Sequence, residues 1–426
     1  MATQSASTVG EQGWLTEEAV RKLSKAKNEP DWLLQRRLDA LSQFEKLPMP
    51  QLMYGLHVSA PANINLAELR PEGCITRHDN SESDGVIIED LSTAASKYES
   101  IVKHVLANNP GFQNKIEAMH AAFWNNGVFI YAKKSGESPG LAQKNAKKIQ
   151  LQLRQKQTEI VHVVVIAEEN TNLSVTEALI PDENERSRDV KQYRVELDEV
   201  FAATGAKVKF ATMQKLPQNT NSMISRKATA EKDASVDWAD ISIGGGSTKQ
   251  ETASCLNGEG ASSTIVGAFF GDETQQLDIM AKAVHNSRNT RSNMRIKGAL
   301  KGKAKAIVQS FTKIMKDAAN SEGHQKANIL LLSDTARASP IPKLEIDNYD
   351  VKASHEASVG QLDKEKLFYM MTRGIESNEA VKLVVEGFFE PLLKEIPFEE
   401  LAEDMRKTIA TKMETAGQEI MAATVA

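Results

Sequence analysis

What constrains the fold most is a change of period near Gly127. From there the chain breaks into short β-rich runs closed by polar or glycine-bearing turns. Val128–Tyr131, Ile160–Ala167 and Leu173–Glu177 come first. Val208–Ala211, Val236–Ile243, Ser263–Phe270, Gln276–Met280, Met294–Gly298, Ala304–Phe311 and Ile329–Leu332 follow at short intervals. Such a succession with almost no helix excludes a doubly wound α/β sheet and leaves a sandwich, a barrel or a β-solenoid. Turns at Gly244–Ser247, Asn257-Gly258, Gly271-Asp272 and Asn286-Ser287 recur at a spacing that suits solenoid coils of ~20–30 residues. No exact repeat accompanies them, so periodicity alone leaves the three architectures open. The Lys-, Arg- and Gln-rich segment Gln143–Gln157 reads as a solvated helix or loop.

Helical patterns flank this region. Thr16 offers an N-cap with Glu17 and Glu18 in the first turn, where acids favour the positive end of the helix dipole. A second helix starts at Pro30, places Leu34, Leu38, Leu41 and Phe44 on one face, and ends at Pro48 and Pro50. Tyr98–Ala107 and Lys115–Trp124 are further amphipathic segments, separated by the breaker Asn108-Asn-Pro-Gly111. Helical spacing resumes at Asp363, with Arg373-Gly374 as a glycine C-cap, Ser377 as the next N-cap and a last helix from Pro397. The expected domains are residues 1–124, mostly helical; 125–362, β-rich; and 363–426, helical.

Composition narrows the function classes. A net charge of −5 lacks the positive field of a dedicated nucleic-acid binder. Cys74 and Cys255 are the only cysteines, giving neither a disulfide framework nor a zinc-type pair, which suits a reducing cytoplasm. No apolar run has the ~18–20 residues that cross a bilayer, and residues 1–13 lack the basic start and apolar centre of a signal peptide. The expected protein is soluble and cytoplasmic, with no nucleic-acid or membrane partner.

Catalytic signatures are missing. Gly298-Ala-Leu-Lys-Gly302-Lys303-Ala304 has three residues between its glycines where a P-loop has four, and it lacks the Ser/Thr that holds magnesium. There is no HExxH, no GxSxG and no calcium-type aspartate cluster. The informative segment is Leu330–Ile346 with Asp350–Leu362, which carries the only His-Glu pair, His355-Glu356. On an extended strand these neighbours point to opposite faces, so they would share one ligand sphere only if the strand bends.

These segments resemble the SufB/SufD family of SUF iron–sulfur cluster assembly scaffolds. The likeness is carried by Glu29-Pro-Asp-Trp-Leu-Leu34, Asn126-Gly-Val-Phe-Ile-Tyr131, Ala167-Glu-Glu-Asn170 and Ala234-Ser-Val-Asp-Trp-Ala-Asp240. It continues in Gly258-Glu-Gly-Ala261, Lys297-Gly-Ala-Leu-Lys-Gly302, Leu330-Leu-Leu-Ser-Asp334, Lys343-Leu-Glu-Ile346, Asp350–Gly360 and Leu367-Phe-Tyr369 with Arg373-Gly-Ile375. The resemblance implies a right-handed parallel β-helix core between helical amino- and carboxy-terminal domains. It also implies a non-catalytic scaffold that pairs with a SufB-like subunit through its last strands. A SufC ATPase would dock on the carboxy-terminal helices, and a nascent Fe–S cluster would form at the SufB interface.

Within the family the chain looks most like SufD. The position that matches the SufB sulfur-accepting cysteine falls at about Ala327, and no cysteine follows Cys255. Thiolate is both the sulfur nucleophile and the soft iron ligand, so that chemistry is missing here. Glu356 after the histidine is, by contrast, a SufB-like feature. By the resemblance, His355 and Glu356 are the candidate cluster-proximal residues. Phe368, Tyr369, Arg373, Gly374, Phe388 and Phe389 are the candidate SufC-docking residues. The alternatives are a SufB-like protein that accepts sulfur itself and, remotely, a β-helix enzyme acting on polysaccharides. Homodimer formation is compatible with the reading, and a flavin is possible but not readable from the residues.

Overall fold

The computed structural model describes residues 13–49, 66, 68–69, 77–79, 85–107, 112, 114–134, 146–155, 158–182 and 190–414. Cys74, Pro50 and the breaker at 108–111 lie outside them. The amino-terminal elements are α1 (Glu17–Ala26), α2 (Asp31–Phe44), β1 (Arg77–Asp79), β2 (Val86–Asp90), α3 (Leu91–Lys97), α4 (Glu99–Ala107) and α5 (Lys115–Phe123). Strands then run from β3 (Asn126–Ala132) through β4 (Lys147–Gln155), β5 (Thr158–Ala167), β6 (Asn172–Pro181), β7 (Gln192–Ala202), β8 (Lys207–Gln214), β9 (Thr220–Ala230) and β10 (Ser235–Ser242). They continue as β11 (Ser247–Leu256), β12 (Ser262–Gly271), β13 (Gln276–His285), β14 (Arg291–Leu300), β15 (Lys305–Ile314), β16 (Ser321–Leu331), β17 (Arg337–Ile346) and β18 (Val351–Gln361). Helices α6 (Lys364–Thr372), α7 (Ser377–Leu393) and α8 (Glu399–Glu414) close the described chain.

From β3 onward each strand pairs in parallel with the strand two ahead, so the even- and odd-numbered strands form two separate sheets, brought to 9 strands each by β1 beside β4 and β2 beside β3. This is a parallel β-solenoid of about 7 turns with helices at both chain ends. Ser235, Ser262, Arg291 and Glu322 stack in register, so a coil takes roughly 27–31 residues, the long end of the expected range. Aliphatic side chains from both sheets fill the interior, among them Val163, Phe210, Trp238, Ile265 and Met294. Corners use residues that tolerate positive φ, including Asn170, Asp233, Asn289 and Asn320.

Several sequence expectations need correction. Lys147–Gln155 is strand β4: Ile149, Leu151 and Leu153 point inward at period two, while the intervening charged and amide residues face outward. Strands β7, β9 and β11 escaped notice because their inward positions carry Arg194, Glu196, Asp198, Ser222, Arg226, Thr248 and Thr252, which blur the apolar alternation. The amino-terminal region also supplies two strands, β1 and β2, which pair antiparallel with β4 and β3. In α2 the fully buried side is Leu33, Arg37, Ala40 and Phe44, with Leu34, Leu38 and Leu41 only partly covered. Buried Arg37 pairs with Glu29 at 2.7 Å and lies 4.1 Å from the Trp124 ring centroid. Glu376, not Ser377, occupies the N-cap of α7.

The helical domains cover the outer faces of the solenoid. The amino-terminal helices pack on the odd-numbered sheet around Phe129, Tyr131, Ile160, Val164, Tyr193 and Val195. Leu367, Val381, Val385, Phe389 and Met405 pack on the even-numbered sheet against Met213, Ile241 and Phe270. Lys215–Asp404 (2.8 Å) pins the carboxy-terminal module further.

At Gly258 a coil corner presses on the one beneath it. A Cβ there would lie 1.9 Å from the Lys232 nitrogen and 2.3 Å from the Glu231 carbonyl carbon, both backbone atoms that cannot swing away. Gly258→Ala is therefore expected to cost about 3 kcal/mol by overpacking, whereas Gly360→Ala, with nothing within 4 Å, should stay within about 0.5 kcal/mol of wild type. Chemical denaturation of the two variants measures the contrast.

Candidate functional site at the open end of the solenoid

The two ends of the solenoid differ. At the first coil, short antiparallel strands β1 and β2 cover the edges of β4 and β3. At the last coil, β17 and β18 are the terminal strands of their sheets, and no described strand follows them. An exposed edge presents a row of unpaired backbone donors and acceptors, a template for another strand. On β17 this template is blunted. Arg337 donates its N–H to Ala304, which turns the odd-numbered residues toward β15 and places Pro340 and Pro342 at outward positions without donors. On β18 the Asp350 carbonyl accepts from Asn320, so even-numbered residues face β16 and the N–H groups of Ala353, His355, Ala357 and Val359 face outward. That edge contains no proline.

Register fixes where the side chains point. His355 pairs with Gln325, which stacks in turn on Met294, Ile265, Trp238 and Phe210. All five lie beneath it in the solenoid interior. His355 is therefore the top of an inward-facing column, exposed because no further coil lies over it, and it has no hydrogen-bond partner among the described residues. The column changes from apolar to polar at its last two positions. Gln325 donates to Thr312 (2.7 Å) and to the Lys343 carbonyl (3.0 Å), tying β16 to both strands of the odd-numbered sheet nearby.

Glu356 stacks on Lys326 in the neighbouring outward column. Their ion pair is 3.0 Å, and the hydrogen bond from Lys326 holds the Glu356 carboxyl below its usual range. The same outer face is fastened coil to coil by His324–Ser354 (2.7 Å), Asn328–Ser358 (2.6 Å) and Lys352–Glu322 (3.3 Å). The two predicted ligands thus lie on opposite faces of an unbent strand. One is unpartnered and the other already holds a lysine.

The carboxy-terminal candidates separate in the same way. Phe368 (68 % exposed) and Tyr369 (59 %) project from α6. Arg373 donates to the Tyr369 hydroxyl at 3.3 Å and packs over its ring. Gly374 ends α6 with φ +86°. Phe389, however, is fully buried against the even-numbered sheet, and Phe388 is partly buried beneath the Lys297 ammonium at 4.8 Å. These two rings seat α7 on the solenoid, so the exposed surface is Phe368, Tyr369 and Arg373.

A polar cluster inside the solenoid was not anticipated from the sequence. Carboxylate oxygens of Glu177, Glu196 and Asp198, all buried, lie within 4.8 Å of one another. Two guanidinium groups already serve as their counter-ions. Arg194 bonds Glu196 and Glu159 (2.8 Å to the latter), and Arg226 sits 3.1 Å from Asp198, 3.6 Å from Asp240 and 3.7 Å from Glu177. The Arg226 contacts are close but none is a well-directed hydrogen bond. Burial, then the neighbouring acids, push the Glu177 and Asp198 carboxyls far above their usual range. Cys255 faces outward on β11, and burial pushes its thiol up despite Lys282 and Lys227, the opposite of an activated nucleophile.

No helix among the described residues is long and apolar enough to cross a membrane. Residues 150–388 match the family model for the SUF system FeS cluster assembly SufBD core domain. Proteins named iron-sulfur cluster assembly SufBD family protein are similar throughout. Those of Staphylococcus haemolyticus (strain JCSC1435) and Staphylococcus aureus (strain USA300) are each 26 % identical over 445 residues, covering 94 % of this chain and 93 % of the relative. With a core-domain match over more than half its length, on a solenoid of the expected kind, the chain belongs to the SufBD family of iron–sulfur cluster assembly proteins.

Proposed function

We propose that this protein is a SufD-like, non-catalytic scaffold that lends His355 to a nascent Fe–S cluster at an interface with a SufB-like partner. The observation that carries the reading is the unpartnered imidazole at the uncapped top of the interior column, on a strand whose outward donors are free. A neutral imidazole without a competing hydrogen bond is a competent iron ligand. Glu356 is the weaker candidate, since it would first have to release Lys326. Ala327, the position that resembles the sulfur-accepting site of SufB, lies one strand away, in register with Ala357, and brings no thiol. In this reading sulfur chemistry belongs to the partner and ATP hydrolysis to a SufC-like subunit on Phe368, Tyr369 and Arg373, in the cytoplasm.

The test is co-expression with SufB-like and SufC-like subunits, followed by anaerobic absorption spectroscopy of the purified complex. His355→Ala is expected to lower cluster content at least about tenfold, the scale on which metal sites respond to altered ligation. Complex stoichiometry should be unchanged, because His355 is exposed and bonds to nothing. Wild-type cluster content in His355→Ala would remove the histidine from the mechanism. A persulfide on Cys255 after incubation with a cysteine desulfurase would favour the sulfur-accepting alternative.

A further inference from the structure

On the face of the molecule covered by the amino-terminal helices, a cleft separates α2 and α5 from the outer surface of β5, β7 and β9. Arg36, Phe112, Glu117, His120, Trp124, His162 and Lys227 line it. It adjoins an open groove through the shared residues Glu117, His120 and Leu197. Ile116, Val195 and Met223 give that groove an apolar wall. Both open to solvent, and neither takes part in the scaffold reading above.

The polar groups here are unevenly matched. His162 is 4 % exposed. Its Nε2 lies 2.8 Å from the Glu199 carboxylate, while its Nδ1 has no partner. Burial alone would raise the Glu199 carboxyl, but the His162 hydrogen bond and the charges of Lys227 and Arg36 outweigh it and hold the group low. Glu199 is therefore ionised and accepts a hydrogen bond from the His162 Nε2–H, which leaves the Nδ1 lone pair directed elsewhere. Among the described residues Arg36 makes no hydrogen bond or ion pair, although it is partly buried and burial lowers its pKa. Lys227 makes a loose contact with Glu117 at 3.6 Å and acts on Glu199 through its charge alone. Beside it His120 uses Nε2 on the Val161 carbonyl (2.7 Å), and burial, then His162, keep it neutral. The open donors of the cleft are thus Arg36 on α2 and Lys227 on β9, and between them the Nδ1 of His162 on β5 can donate only when it carries a proton as well. The carboxylates Glu117 and Glu199 already have partners.

We propose that this cleft binds a small organic oxyanion, held by Arg36, Lys227 and the Nδ1 edge of His162, with its apolar body lying in the adjoining groove. Arg36 is partly buried, and the one opposing charge it feels, Glu199, is already bonded to His162; a further anion would bond its free N–H groups, and guanidinium–oxyanion hydrogen bonds are among the strongest a protein makes. The oxyanion draws a proton onto Nδ1, because an imidazolium then bridges Glu199 and the ligand. The site is independent of the open solenoid end and of cluster assembly.

The experiment titrates the purified full chain with phenyl phosphate and, in a second arm, with benzoate. Imidazole ¹⁵N NMR reports on His162 in both. A saturable move of its signals toward the imidazolium is expected, and the arm with the tighter response tells a phosphomonoester from a carboxylate. Arg36→Gln and Lys227→Gln should each weaken the response about ten- to a hundredfold, the loss of one charge-assisted hydrogen bond. Lys282→Gln, farther along the same sheet, should leave it intact. No saturable response to either compound overturns the proposal. So does an unchanged response in both cleft variants, provided thermal unfolding shows them folded.

Discussion

Replacing Arg226 by methionine is expected to destabilise the protein by about 3–5 kcal/mol, the scale for removing one partner of a buried ion pair. Arg226 is wholly buried among Glu177, Asp198 and Asp240. Methionine fills similar volume, so little of the loss comes from a cavity. Most comes from acidic groups left in a low-dielectric interior without the cation that favours their ionised forms. The double variant Arg226→Met, Asp198→Asn should recover part of the stability, since it removes an ionisable acid along with the cation that faces it. Full additivity of the two losses would show that the residues are not coupled.

The same cluster sets a pH dependence. Glu177 and Asp198 have folded pKa values raised well above 4.5 and 3.8. A raised folded pKa means that the native state holds the proton more tightly than the unfolded chain. The contribution is thus fully present below those unfolded values and is lost as pH rises through the elevated folded ones. In Arg226→Met the cation that lowers both groups is gone, so their pKa values rise further and the deficit relative to wild type should widen with pH. Denaturant unfolding at about pH 5 and pH 8 measures it. A deficit that narrows toward alkaline pH would contradict the protonation argument.

How much of this was legible depended on whether the relevant residues broke the pattern that betrays their element. Runs such as Ser263–Phe270 and Ile160–Ala167 announce buried strands because both sides of each are apolar, one packing inside the solenoid and the other beneath helices. Strands β7 and β9 were hidden by the charges that make them interesting, since Arg194, Asp198 and Arg226 at inward positions read as surface. His355 stood out through its place before a domain boundary and through the family resemblance. That it crowns an interior column is set by a register of β16 on β18 that no local pattern encodes. His162 sits within an apolar run, and its importance rests on Arg36 and Lys227, more than 60 residues away on either side. Phe388 and Phe389 could not be told from docking residues by spacing, because a helix that packs on a sheet and one that awaits a partner share the same stripe.

Proline at Ala357 is expected to abolish the proposed pairing with a SufB-like partner while leaving the chain folded, whereas proline at Ser358 should destabilise the solenoid itself. The difference follows from parity. With the Asp350 carbonyl turned to Asn320, residues 352, 354, 356 and 358 direct their backbone groups to β16, and 353, 355, 357 and 359 direct theirs outward. Ala357→Pro deletes an outward donor and puts ring atoms where a neighbouring strand would lie. It mimics what Pro340 and Pro342 already do on β17 without disturbing the solenoid. Loss of one ladder bond, with its acceptor left unsatisfied in the partner, amounts to about 2–3 kcal/mol, or roughly a hundredfold in affinity before any steric clash is added. Ser358→Pro instead removes a bond to β16 and should lower the unfolding midpoint. Size-exclusion chromatography of the co-expressed subunits, read beside the thermal stability of each chain alone, separates the two effects. Intact pairing by Ala357→Pro would mean that β18 is not the edge the partner uses.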